Sequence, residues 1–128
     1  MPNTLDRSAY LLSFRTAERA LVAEQAYYRS IADDYTLSPA ERAQAIAVGS
    51  QIESKLALLR AQLDLYLAMY GSEGVPEPSQ EMLKESVELA KGLAKELKEA
   101  TTAVAVLSAI AGFMDVWKKL LTPAPAPT

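Results

Sequence analysis

The sequence predicts an all-α protein, an antiparallel up-down-up bundle of three long helices with a C-terminal helical extension. Apolar residues recur at alternating steps of three and four along most of the chain, the period of a helix with one buried face. Half of the residues are apolar, yet only 7% are aromatic and Ala and Leu dominate, which is a composition of helices rather than strands. The strongest punctuation falls at a Ser-Pro pair at 38–39, a Gly- and Pro-containing stretch at 71–78 and a Pro-Ala tail at 122–128. A chain of 128 residues suffices for one core. Residues 1–121 therefore read as a single helical-bundle domain, and 122–128 as a disordered or polyproline-like tail.

The first helix is expected over residues 5–35, capped by Asn3 or Thr4, with Asp6 in its first turn. Tyr10, Phe14, Ala17, Leu21, Glu24, Tyr28, Ile31 and Tyr35 form a coiled-coil-like seam with one charged member, Glu24. Ser38, Pro39 and Glu41 then supply an N-cap, a proline at the first helical position and the glutamate of a capping box. The second helix accordingly covers residues 39–70, with Ala45, Gly49, Ile52, Leu56, Leu59, Leu63, Tyr66 and Tyr70 on its seam and Gly71 ending it. After the linker, Ser79 caps a third helix that the pattern carries unbroken to Leu121. Its first stripe is Met82, Leu89, Leu93, Leu97, Ala100 and Val104; a second, of Val106, Ile110, Phe113, Trp117 and Leu121, opens beside it after Thr102.

Short loops make sequential helices antiparallel neighbours. On a shared rise of ~1.5 Å per residue, facing residues of helices one and two have numbers summing to roughly 73, and those of helices two and three to roughly 149. Glu24 then falls level with Gly49, Ser50, Thr101 and Thr102, a small, polar layer in which Gly49 makes room and the hydroxyls donate to the carboxylate. The tyrosines read as core and rim, with Tyr10, Tyr66 and Tyr70 at one end. By the same register residues 111–121 project ~15 Å beyond the other two helices.

That overhang is the candidate binding segment: Ile110, Phe113, Met114, Trp117, Leu120 and Leu121 would expose more apolar surface than monomers usually tolerate. It has three ways to be covered. A kink at Gly112 folds 113–121 over Tyr35 and Leu37, a second copy or another protein packs on it, or it enters a membrane surface with Trp117 at headgroup depth.

Composition narrows the function classes. There is no histidine and no cysteine, and no serine has a base placed beside it by any readable spacing, so nucleophilic catalysis has little to work with. Thirteen basic against sixteen acidic residues, with no basic cluster denser than Lys91, Lys95 and Lys98, argue against nucleic acid. The pairs Glu85 with Glu88 and Glu96 with Glu99 repeat at i,i+3, as Mg²⁺ sites on all-α nucleotide pyrophosphatases require, but Lys84, Lys91, Lys95 and Lys98 lie among them. No cofactor, metal or small-molecule substrate is assigned. The N-terminus has no basic and apolar leader and the longest apolar run is short of the ~20 residues that span a bilayer, so the expected location is the cytoplasm, with a membrane surface as alternative. The expected function is a non-catalytic helical protein-interaction module (assembly subunit, adaptor or inhibitor) whose partner is a second copy or another protein. The alternative is a membrane-docked or membrane-active protein inserting 103–121, and the remote one an Mg²⁺-dependent pyrophosphatase.

Overall fold

The computed structural model describes residues 4–70 and 79–121, which form four helices: α1 Thr4–Ala32, α2 Pro39–Tyr70, α3 Gln80–Glu99 and α4 Ala103–Leu121. Asn3, the linker 71–78 and the tail 122–128 lie outside the described residues. The expected N-caps of α2 and α3 are formed. Ser38 Oγ accepts from Glu41 N (3.2 Å) and donates to Glu41 Oε1 (3.0 Å), and Ser79 Oγ accepts from Met82 N (3.1 Å). Between α1 and α2, Asp34 Oδ1 accepts from Thr36 N and Thr36 Oγ1, which holds its carboxyl below the usual carboxylate range. Arg42 Nε donates to the α1 carbonyl of Ala32 (2.8 Å), and its guanidinium lies 4.1 Å from the Tyr35 ring centroid.

The third expected helix is two helices. α3 stops at Glu99, Ala100 is extended (φ −69°, ψ 129°), and Thr102 Oγ1 accepts from Ala105 N (3.1 Å) as the N-cap of α4. The bundle therefore has four helices rather than three, and the overhang is absent. The reason is burial. Ending one helix and starting another gives up a few backbone hydrogen bonds, each worth ~0.5–1.5 kcal/mol net. In return Val106, Ile110, Phe113 and Trp117 leave water completely or nearly so, at ~1.5–3 kcal/mol for each large side chain.

Around the bundle the order is α1, α2, α4, α3, each helix packed on the two beside it. The predicted α2–α3 register therefore has no interface to describe: these two helices face each other across a diagonal. The α1–α2 register is close to expectation, with the Tyr10 hydroxyl donating to Gln62 O (3.4 Å) at one end and Arg42 reaching Ala32 at the other. Tyr10 of α1 stacks on Tyr66 of α2, so the helices are antiparallel. Two serines are wholly buried, Ser13 on α1 and Ser86 on α3. Each hydroxyl donates to the carbonyl three residues earlier, Ser13 to Tyr10 O (2.7 Å) and Ser86 to Leu83 O (2.6 Å).

Two seam assignments shift by one position. Val48, not Gly49, completes the α2 seam, and a Cβ on Gly49 would meet Tyr28 Cβ at an ordinary 3.9 Å. On α3 the buried residue is Leu83 while Met82 is 44% exposed; Tyr35 and Val104 likewise lie outside.

Candidate functional site

The side chains expected to project from the bundle lie within it. Ile110, Phe113 and Trp117 are core residues, and Met114 and Leu120 are half-buried against them; Leu121 belongs to the last turn of α4. Trp117 Nε1 donates to Ser13 Oγ (3.2 Å), while the Trp117 ring stacks 5.4 Å from Tyr10 and 5.8 Å from Phe113. This is the end where α1 begins, opposite Tyr35 and Leu37. The chain turns back at 100–102 rather than at Gly112, so the fold-back has a different pivot and destination from those expected.

The polar layer is divided. Glu24 and Thr101 line one groove of about 720 Å³, open at the end where α1 turns into α2, with Ile31, Ala45, Val48 and Leu97 on its floor. Gly49 instead packs by Tyr28, Ser50 is exposed, and Thr102 is occupied as the α4 cap. Among the described residues Glu24 has no hydrogen-bond or ion-pair partner, so the donation expected from Ser50, Thr101 or Thr102 is not made. Desolvation raises the Glu24 pKa, and desolvation together with the Glu24 charge and Tyr27 raises that of Tyr28.

A second groove runs between α3 and α4, on the outer side of the bundle. It consists of two adjoining hollows, about 470 and 590 Å³, that share Glu88 and Leu89. The α4 wall is uncharged, with Ala105, Ser108, Ala109 and Gly112 beside the larger Phe113, Val116 and Leu120; the α3 wall carries Glu81, Glu85, Glu88 and Glu96, with Lys84. Lys91 pairs with Glu88 from outside the groove at 3.6 Å. Gly92 and Gly112 line the same hollow from opposite walls, and a Cβ built on either meets nothing within 4 Å. A mid-helix glycine is ~1 kcal/mol less favourable than alanine, and among the described residues nothing packs closely enough to require either. The signal was present in the sequence, since both glycines interrupt apolar helical patterns. Only the structure shows that they face each other across one hollow.

Carboxylates and hydroxyls line both grooves, and the sequence holds no imidazole or thiolate. Among the described residues no helix is long and apolar enough to cross a membrane. Comparison with protein-family models, characterised proteins and solved structures finds no match.

Proposed function

We propose that the protein is a non-catalytic helical interaction module, an assembly subunit, adaptor or inhibitor, that receives a helix in the α3–α4 groove. The observation that carries this reading is the pair Gly92 and Gly112. Each weakens its helix and leaves open space that none of the described residues fills, and local rules broken without internal compensation concentrate at functional sites. A helix laid where both walls carry glycine approaches closely and buries its own apolar face. Membrane insertion of 103–121 competes poorly, because Phe113 and Trp117 would have to leave the core.

The test is site-specific photo-crosslinking in the producing cells. A crosslinking residue at Ser108, in the groove, should give a discrete adduct that Gly92→Leu abolishes by filling the space, while one at Ala47 on the outer side of α2 should give none. Circular dichroism should show Gly92→Leu as fully helical. Absence of a Ser108-specific adduct, or an adduct indifferent to Gly92→Leu, refutes the proposal.

A further inference from the structure

Resting on that groove reading, and naming its occupant, we infer that the helix received by the α3–α4 groove is α1 of a second copy of this chain. The groove asks for a helix with an apolar stripe and cations along one flank, because its α3 wall presents carboxylates at 81, 85, 88 and 96 against one lysine, Lys84, while its α4 wall is uncharged, with Phe113, Val116 and Leu120 among small residues. The outer side of α1 has that character. Leu12, Arg15, Arg19, Val22, Ala26 and Arg29 follow one another at steps of three and four, so they share one face, and all six are exposed. Leu12 is 51% and Val22 43% exposed, large apolar side chains left in water on a face whose charges are all arginine. Glu18 lies on the flank of this face and is engaged by Arg60 of α2 at 3.1 Å.

The spacings of the two surfaces also agree. Laid parallel at the shared rise of ~1.5 Å per residue, α1 of one copy and α3 of the next bring Arg15 level with Glu81, Arg19 with Glu85 and Ala26 with Gly92. Arg29 then comes level with Lys95, which the groove lining does not include, and within one residue of Glu96, which it does. The closest approach falls where the two faces carry their smallest residues, with Arg15 and Arg19 level with carboxylates on one side of it and Arg29 one residue from Glu96 on the other. Arginine suits this role because its planar fork pairs with carboxylates in two-point geometry. Within one molecule the α1 face and the groove point in different directions, since α1 packs on α2 and α3 and its arginines face away from both. The contact is therefore heterologous, and assembly proceeds head to tail into a ring or a filament.

The experiment measures mass against concentration by light scattering for the full chain and three variants: Arg19→Glu, Glu85→Arg and the two combined. The unmodified protein should form species larger than one chain. Each single reversal should weaken association at least about tenfold, the double variant should regain it with the pairing inverted, and Glu53→Arg, exposed on α2 away from both surfaces, should leave it unchanged. All substituted positions are exposed on helices, so circular dichroism should be the same throughout. A single-chain mass up to ~1 mM overturns the inference, as does association that survives both reversals or a double variant that does not recover. A Ser108 adduct with a different protein, beside a monomeric chain, would sink the second-copy assignment and leave the groove reading standing. No adduct in a monomeric chain would sink both.

Discussion

At the end of the bundle where α1 begins, Tyr10 and Trp117 are wholly buried and stacked, and the indole N–H has its acceptor in Ser13. At the other end Glu24 stands half-buried beside an open groove, its pKa raised by desolvation, and the Tyr35 ring lies 83% exposed under Arg42. Helix length accounts for part of the contrast. α1 and α2, with 29 and 32 residues, outreach α3 and α4, with 20 and 19. The shorter pair is pulled toward the aromatic end by Trp117, so the α1–α2 hairpin is left to overhang the turn between α3 and α4. The buried indole N–H at the closed end is satisfied inside the protein; at the open end the Glu24 carboxylate has no partner among the described residues.

The comparison is broken most severely by Trp117→Ala. It removes the largest fully buried side chain and strips a stacking partner from both Tyr10 and Phe113, so a loss of ~3–5 kcal/mol is expected in urea unfolding. A tryptophan that served only a partner would unfold at an unchanged midpoint when removed. Ser13→Ala is gentler: it deletes the acceptor of the indole N–H without making a large cavity, and should reduce stability by ~1–3 kcal/mol. Combined with Trp117→Phe, most of that loss should vanish, because no buried donor remains to be satisfied.

The smallest effect belongs to the open end and has the opposite sign. The Glu24 carboxyl titrates higher in the folded protein than its ordinary value of 4.5. Its stabilising contribution is thus fully present below 4.5 and is lost as pH rises through the raised value, where the folded state must carry a partly desolvated charge. Glu24→Gln should therefore be at least as stable as the unmodified protein at neutral pH. Measured across the acid range, it should also flatten the decline in stability with rising pH. A variant that is less stable at neutral pH would mean that the carboxylate has a stabilising partner.

How much of this was legible in the residues differs from element to element. The seam of α1 from Tyr10 to Tyr28 and most of that of α2 follow from periodicity alone, as do the caps Ser38 and Ser79. The second stripe of Val106, Ile110, Phe113, Trp117 and Leu121 was equally visible, and its first four side chains are buried. What periodicity could not report was what covers that stripe. The α3–α4 groove was hidden for the same reason, since Gly92 and Gly112 are brought opposite each other only by the reversal at 100–102.

By itself, then, the sequence determined that the chain is helical, where α2 and α3 begin and which faces of α1, α2 and α4 turn inward, whereas on α3 it missed Leu83, Ser86, Val87 and Ala90. These are consequences of hydrophobic period and capping, both of which act within a few turns. Tertiary structure alone decided that Thr102 starts a new helix and that Trp117 returns to Ser13, 104 residues away in the chain. A threonine cap contributes only ~1 kcal/mol, too little to distinguish a break from an uninterrupted helix. Burying Ile110, Phe113 and Trp117 contributes several times as much, and that energy exists only once the other helices are in place to cover them.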